Sequence, residues 1–396
     1  MTTLPNGLVY EVIVSFNGTP TDITDDVVSV QITRGRSRQL DQMTAGTCTI
    51  TVRNDTRKYD PFNTASATGS TTRPRMPVVV KAGSPSQPQI RELFTGFVDD
   101  VMVDWDRTNI GTVTYRCVDG FSIFANQVMA SHAVIQQTTS QRIFNVLNRP
   151  EVDWNGGYLI YPGVATLQAG TVPAGTNVLN YLHRIAQAEQ GRIFMSRFGG
   201  LTFRDRYRTL QSTINLGFVD TEAAAGVSDL VYQTYAVEYG TVNLYNRVET
   251  QRVGGTIQTA EDTASQAEYL IRTLSYTDLL SVDDQEAANV GQFLLSKYAD
   301  PELHIREVSF LVTEEKSYPV VLSFSKEPGD VVEVTRTFDT GTPTTDTRQV
   351  VIEQISHDIT PERHRVTFRF GSTDGRSFMV LDNATLGRLD YNLLAF

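Results

Sequence analysis

Short stretches of alternating apolar and polar residues, separated by turn residues, recur along the first 130 residues of this 396-residue chain. Residues 28–33 and 47–52 alternate strictly, and residues 10–16 are rich in strand formers and end at Asn17-Gly18, a strong hairpin signal. Alternation with a period of two residues places one face of each strand in a core. Many short strands in succession therefore predict a β-barrel or a β-sandwich.

The composition agrees with a β-rich chain and makes several function classes poor candidates. Thr, which suits a pleated and half-buried surface, accounts for 48 residues. The net charge of −11, with 29 Arg and 5 Lys, argues against a broad basic surface for DNA or anionic membranes. Cys48 and Cys117 are too few for a disulfide scaffold, so we expect buried free thiols. With no membrane-spanning segment and no signal-peptide pattern, we expect folding in a cytosol.

The periodicity changes in the middle of the chain and then changes back. Helical spacing of apolar residues predicts helices over residues 140–147 and 177–189, with Ser140 and Asn177 as N-caps, and another over 283–297. The predicted fold is mainly β with an α+β insert. Its segments are an N-terminal β-barrel domain (1–130), an α+β domain (131–225), a second β-barrel domain (226–373) with a helical insertion at about 261–300, and a C-terminal docking segment (374–396).

One hairpin pattern occurs in similar form in both predicted barrels. Residues 93–101 lead through an Asp-rich loop into Val-Thr-Tyr-Arg-Cys at 113–117, and residues 350–359 lead through Pro361 into Val-Thr-Phe-Arg-Phe at 366–370. A true internal duplication and a chance likeness between alternating strands both fit this single match. A duplication would allow a trimer to present six similar units around one axis.

Catalytic and metal-binding patterns are absent from the sequence. The five histidines form no HExxH motif, and His357 and His364, seven residues apart, lack a trusted ligand spacing. There is no GxSxG, P-loop or dinucleotide-type GxGxxG. Adjacent acids such as Asp99-Asp100 point to opposite faces of a strand, so they do not form the facing carboxylates of a glycosidase. We therefore predict no catalytic residue, no cofactor, no metal ion and no enzymatic activity.

Two regions are candidate interfaces. Arg34-Gly35-Arg36-Ser37-Arg38 is the most basic run and follows a clean strand. In an acidic chain, we expect these arginines to pair with carboxylates across a subunit contact rather than to bind phosphate. The C-terminal segment is apolar but too short for its own core, so we expect it to dock on a neighbouring chain or another protein. Its candidate contact residues are Phe378, Leu381, Leu386, Leu389 and Phe396.

Four sets of residues, in this order along the chain, carry a resemblance to a known family. They are residues 23–41 with 45–54 and 59–61, residues 93–98 with 117–121, residues 191–194 with 200–203, and residues 378–382 with 386–390. Together they resemble the minor tail proteins of long-tailed bacteriophages, particularly those of actinobacterial hosts. These proteins belong to the baseplate or tail-tip hub group, also described as tail-associated or late-control-D-like. None of the four sets is a catalytic signature, but together they span nearly the whole chain.

The resemblance implies a homotrimeric hub in the virion, at the tail tip. Two barrel domains per chain would form a pseudo-six-fold ring that joins the six-fold tail tube to a three-fold tip. The implied partners are a distal tail or tail tube protein, the tape measure protein, and other minor tail proteins or fibres. DNA would pass through transiently without specific binding, and assembly would take place in the host cytoplasm. Some relatives carry an added peptidase or glycosidase domain, but we expect none here because the sequence ends soon after the second barrel.

Three other functions remain open at this stage. A host-surface carbohydrate-binding tail protein would need exposed aromatic platforms, and Trp105 and Trp154 are the only tryptophans. A cell-wall hydrolase would need a paired acid–base site, which the sequence does not reveal. The third is the hub of a related injection machine outside a phage.

Overall fold

The computed structural model describes residues 2–3, 9–84, 87–107, 110–208, 213–301, 303–313 and 316–373. The predicted docking segment 374–396, with its five candidate contact residues, lies outside the described residues. Within the described part of the chain, no helix combines the length and the apolar character needed to cross a bilayer.

The first third of the chain forms strands, as the alternating pattern predicts. In β2, for example, Val12 and Val14 are fully buried while the residues between them are half-buried. The strands are β1 (Thr2–Thr3), β2 (Val9–Phe16), β3 (Thr19–Asp22), β4 (Val27–Gly35), β5 (Thr44–Arg53), β6 (Pro77–Ser84), β7 (Gln87–Trp105) and β8 (Gly111–Val118).

The middle third contains the predicted α+β unit, with helices packed on a small sheet around their own apolar core. Asn177 caps the longest helix here, as predicted. The preceding helix starts earlier than predicted, because Thr138, not Ser140, forms a reciprocal capping box with Gln141. The elements are α1 (Phe121–Ala125), β9 (Val128–Met129), β10 (His132–Val134), β11 (Gln137–Thr138), α2 (Thr139–Leu147), β12 (Tyr158–Ile160), β13 (Thr166–Leu167), β14 (Gly170–Val172), β15 (Thr176–Asn177), α3 (Val178–Glu189), β16 (Arg192–Met195) and β17 (Leu201–Arg204).

The last part of the chain returns to strands and includes a small helical insertion. The helix α5 begins after its cap Asp283 and packs on the sheet of β21, β22 and β23 around a third core. The elements are β18 (Gly217–Val219), β19 (Asp229–Val231), β20 (Thr234–Tyr239), β21 (Arg247–Arg252), β22 (Gln258–Glu261), α4 (Thr263–Tyr269), β23 (Thr273–Leu279), α5 (Asp284–Tyr298), β24 (Leu303–Leu311), α6 (Ser317–Phe324), β25 (Val331–Thr337), β26 (Thr345–Thr360) and β27 (Arg363–Ser372).

Strands from the first third and the last third of the chain belong to one large mixed sheet. Its main path runs β1-β2-β6-β7-β8-β5-β4-β26-β25-β18-β19, with β27, β24 and β20 continuing from β26. The antiparallel pairing of β4 with β26 joins the two parts, and one apolar core lies beneath both. The prediction of a mainly β fold is confirmed.

The strand order of the first β-rich part is repeated in the second. The first part has the order β3-β2-β6-β7-β8-β5-β4, and the second has the order β19-β18-β25-β26-β27-β24-β20. In chain order, each strand of the first series occupies the same place as its counterpart in the second. The repeat is imperfect at one end, where β18 runs parallel to β25 but β2 runs antiparallel to β6.

The two long hairpins, β7–β8 and β26–β27, also match residue by residue. Each carries one bulged acidic residue in its first strand, Asp99 in β7 and Glu353 in β26. The residue after the bulge pairs with the Arg of the shared pattern in both hairpins, Arg116 in β8 and Arg369 in β27. A common bulge and a common register, together with the common strand order, favour a duplication over a chance likeness.

We expect residues at the β4–β26 junction to contribute strongly to stability. Replacing Ile32 with Ala should lower the free energy of unfolding by about 2–5 kcal/mol, because its side chain is fully buried in the shared core. On the same strand, Val28 is 40% exposed, so Val28→Ala should change stability by less than about 0.5 kcal/mol. Urea unfolding of both variants measures the difference, and equal effects would contradict a buried junction.

Candidate functional site

A cluster of buried charges lies where the end of β4 and the bulge of β26 meet the α+β unit and the turn between α6 and β25. Its members come from three distant parts of the sequence. We call this cluster the ionic junction, and it consists of Arg34, Arg36, Arg192, Arg197, Arg204, Glu327, Asp330 and Glu353.

Glu353 links β26 both to β4 and to the α+β unit. One carboxylate oxygen accepts a hydrogen bond from Arg36 Nε at 2.7 Å, and the other accepts one from Arg192 Nη2 at 2.7 Å. The side chain is only 1% exposed, and burial acts to raise its pKa. The two guanidinium groups outweigh burial and lower the pKa of Glu353 below its ordinary value. The carboxylate is therefore ionised at neutral pH and fully paired.

A close backbone contact brings Arg36 to Glu353. The Arg36 amide donates to the Glu353 carbonyl oxygen at 2.9 Å. The preceding Gly35 has a φ of +107°, and a Cβ there would lie 2.1 Å from the same carbonyl oxygen. Only glycine fits both the left-handed backbone and the close approach of β26.

Glu327 and Asp330 complete the ionic junction. Glu327 accepts hydrogen bonds from Arg34 Nη1 at 2.6 Å, from Arg197 Nη1 at 3.2 Å and from the Arg197 amide at 3.0 Å. Asp330 accepts from Arg204 Nη1 at 2.7 Å and from the Glu327 amide at 2.9 Å. Each carboxylate therefore pairs with an arginine of the α+β unit. Glu327 also pairs with Arg34 of β4, and Glu353 also pairs with Arg36, the residue that follows β4.

Buried pairs of this kind fix geometry more than they add stability, because desolvation offsets much of the Coulomb attraction. A guanidinium group is well suited to fixing geometry, because it is planar and can donate to two acceptors at fixed angles. The ionic junction therefore holds the α+β unit in one orientation on the large sheet. Its carboxylates are occupied by arginines and are not arranged for acid–base chemistry.

The structure places the three predicted interface arginines in different environments. Arg34 and Arg36 pair with carboxylates of their own chain, as described above. Arg38 lies at the surface, beside the groove that includes Glu238 and Arg306. The role of the three arginines in a contact between subunits stays a prediction.

Sequence reasoning missed most of the ionic junction. Its arginines Arg192, Arg197 and Arg204 lie more than 100 residues from the carboxylates they contact. The excess of Arg over Lys was the only signal, because it is typical of planar, paired contacts. No local spacing could have identified the partners.

His357 and His364 meet in the core, although they are seven residues apart in sequence. His357 Nδ1 and His364 Nε2 are 3.0 Å apart, and the His364 ring stacks on Phe324 at 5.2 Å. Burial lowers the pKa of His364 to about 3, and burial together with His364 lowers the pKa of His357. In the described part of the chain, no group of three or more His, Cys, Asp or Glu is placed to hold a metal ion.

Among the described residues, Asp119 is the buried carboxyl whose pKa is raised into the range of a general acid. Burial raises its pKa to about 7, while hydrogen bonds and Arg34 act in the opposite direction. Its oxygens accept hydrogen bonds from the amides of Gly46 at 2.6 Å and Phe121 at 3.0 Å. Both oxygens are thus engaged by backbone, and the side chain ties β5 to the start of α1.

The tryptophans give little support to carbohydrate recognition. Trp154 packs on Phe124 with ring centroids 4.9 Å apart, and its indole also lies against Gly120. Trp105, at the end of β7, is 40% exposed. The two rings therefore do not form a shared stacking platform for a sugar.

The fold is similar to that of three solved tail proteins, two of them from prophages. A 43 kDa tail protein of prophage MuSo2 from Shewanella oneidensis is 13% identical, with a TM-score of 0.58, over 91% of this chain and 98% of that one. A tail protein from Neisseria meningitidis is 12% identical, with a TM-score of 0.61, over 91% and 96%. A prophage tail protein from Listeria monocytogenes is 12% identical, with a TM-score of 0.52, over 92% and 95%. The three TM-scores, not the low identities, show the shared fold.

No protein-family model matches the chain, and no curated protein matches it either.

We expect removal of the central carboxylate to destabilise the isolated chain. Glu353→Ala should lower the free energy of unfolding by about 3–5 kcal/mol, because it leaves two buried guanidinium groups without their anion. Asp99→Ala, at the equivalent bulge but exposed, should change it by less than about 0.5 kcal/mol. Urea unfolding at neutral pH compares the two, and a small effect of Glu353→Ala would contradict the ionic junction.

We also expect the histidine pair to make the fold sensitive to acid. Because burial lowers both pKa values, the unfolded chain binds protons first as the pH falls below about 6.5. Stability is therefore present above that pH and is lost on acidification, by about 2 kcal/mol at pH 5 for His364 alone. A His357→Leu/His364→Leu variant should show a shallower loss between pH 6.5 and pH 5. His132→Leu, away from the core, should keep the steeper loss, and equal slopes in all three proteins would contradict the assignment.

Proposed function

We propose that this protein is a structural virion protein of a long-tailed bacteriophage and forms the hub ring of the tail tip or baseplate. In this role it adapts the six-fold tail tube to a three-fold tip and takes part in tail assembly and genome delivery. The observation that carries the proposal is the repeated strand order, joined through β4 and β26 into one sheet. The shared fold with three tail proteins supports the same class of function.

The repeat explains how a trimer can match six-fold symmetry. Two similar β-rich parts per chain give six similar parts in three chains, which can contact a six-fold ring above. The differences between the two parts, such as the insertion of α4 and α5 between β20 and β24, recur only three times. They can therefore define a three-fold surface below.

The ionic junction supports a structural rather than an enzymatic role. Its ion pairs connect the α+β unit to the large sheet and so fix the angle between them. Its carboxylates pair with arginines, so they are unsuited to bind and release protons during a reaction.

The proposed partners follow from the proposed position in the tail tip. They are a second and a third copy of this chain, a distal tail or tail tube protein, the tape measure protein, and other minor tail proteins or fibres. Residues 374–396 are proposed to dock on one of these proteins. Because each chain has a net charge of −11, the ring would let DNA pass without binding it.

The test combines stoichiometry with location. Native mass spectrometry of the purified protein should show the mass of three 44.0 kDa chains. Antibody labelling of intact virions in the electron microscope should place the protein at the tail tip, with an antibody to the tail tube protein as a control that labels the whole tail. Label distributed along the tube or over the capsid would contradict the proposal.

A further inference from the structure

One edge of β26 pairs with two different strands. Residues 345–351 pair with β25, and residues 354–359 of the same edge pair with β4, while β27 occupies the other edge. The bulge at Glu353 separates the two contacts. The second contact buries Val30, Ile32, Ile355 and Ile359 to 1% exposure or less. The chain itself therefore shows how a β4-type edge and a β26-type edge fit together.

The counterparts of these edges are open. In β7, which corresponds to β26, β6 pairs as far as Phe97, and β8 occupies the opposite edge through Trp105. Among the described residues, no strand pairs with residues 100–105 on the β6 side. In β20, which corresponds to β4, β24 occupies one edge, and no strand in the described ranges occupies the other.

Both open edges carry apolar side chains that are only partly covered. Met102 and Trp105 on β7 are 36% and 40% exposed, and Val237 and Tyr239 on β20 are 43% and 65% exposed. Val101, Val103 and Tyr235 pack on the main core but are not fully buried. Exposed apolar strand edges of this kind are templates for pairing with another strand.

We propose that β20 of one subunit pairs antiparallel with residues 100–105 of β7 in the next subunit, repeating between chains the β4–β26 contact. The number of copies that closes the ring rests on the proposed function. Counting from the matched positions, Val103 lies opposite the neighbour's Val237, Trp105 opposite Tyr235, and Val101 opposite Tyr239.

In this register no two acidic residues lie directly opposite each other. Asp100 lies opposite Gly240, Asp104 opposite Ala236, and Glu238 opposite Met102, so no two like charges face each other. A second copy of the chain is the fitting occupant because one chain carries both edges. Joining unlike edges head to tail builds a ring in which each edge is covered.

Gly240 gives a further sign of a missing neighbour. It corresponds to Gly35, where a Cβ would meet the carbonyl oxygen of Glu353. At Gly240 a Cβ would meet nothing within 4 Å, and the φ is not in the left-handed region. In the proposed contact, the carbonyl oxygen of the neighbour's Asp99 takes the place of that of Glu353. Gly240→Val should therefore leave the subunit folded and prevent association.

A pair of engineered cysteines tests the register. Opposite residues in an antiparallel pair have Cα atoms about 4.5–5.5 Å apart, within the range of a disulfide. Val103→Cys/Val237→Cys should give covalent dimers and trimers under mild oxidation. The native Cys48 and Cys117 are buried and do not compete. Val103→Cys/Glu238→Cys is the matched control, because adjacent residues on a strand face opposite sides, and it should remain uncrosslinked.

The outcomes separate this proposal from the proposed function. Trimers by native mass without a Val103–Val237 cross-link would overturn the strand pairing and leave the hub role standing. Absence of both trimers and cross-links at high protein concentration would overturn both. Cross-linked ladders longer than three chains would support the pairing but contradict a closed trimer.

A charge placed on the edge gives a second test. Val237→Lys should reduce the trimer fraction at least tenfold, because the ammonium group would be buried against Val103. Val253→Lys is the control, since Val253 is 42% exposed, close to the 43% of Val237, but lies away from both edges. Circular dichroism should show both variants folded, and equal association of the two would contradict the proposal.

Discussion

Backbone hydrogen bonding between β4 and β26 is the contact on which the rest of the structure depends. It pairs residues more than 300 positions apart, joins two sets of strands into one sheet and lets one apolar core lie beneath both. A strand edge leaves backbone donors and acceptors unpaired, so each open edge must be blocked, covered or paired. Within the chain, the edges of β4 and β26 satisfy this requirement by pairing with each other. The corresponding edges of β7 and β20 have no paired strand among the described residues, so they can pair with edges of further copies of the chain.

The ionic junction sits at one end of that contact and adds orientation to it. Hydrogen bonds along a strand fix register, but they do not fix how a separate α+β unit lies on the sheet. Arginines of that unit pair with carboxylates from the last third of the chain, and Arg34 and Arg36, at the end of β4 and just after it, pair with two of the same carboxylates. Breaking one ion pair would leave a buried charge without a partner. Loss of a single pair is therefore energetically costly.

Local sequence patterns predicted the strands and helices, but they did not predict the long-range contacts. The alternation in β2, β4 and β5, and the caps Asn177 and Asp283, depend on neighbouring residues and could be identified from the sequence. The first helix boundary was misplaced because Ser140 is a good cap by type, whereas Thr138 has the matching Gln141 three residues on. The β4–β26 pairing and the ionic junction join distant residues, so no spacing in the sequence predicts them. The Val-Thr-aromatic-Arg pattern was a true signal of the repeat, but its bulge and register became visible only in the sheet.

We propose that two similar β-rich parts of one chain use the same kind of edge contact within a subunit and between subunits. Electron cryomicroscopy of the proposed tail-tip assembly, reconstructed without imposed symmetry, would make this contact visible. We expect three chains that form six similar β units, with β20 of each chain continuing the sheet of the next chain through β7. Protomers that touch only through loops, or a ring of six chains with one β unit each in the circle, would contradict it.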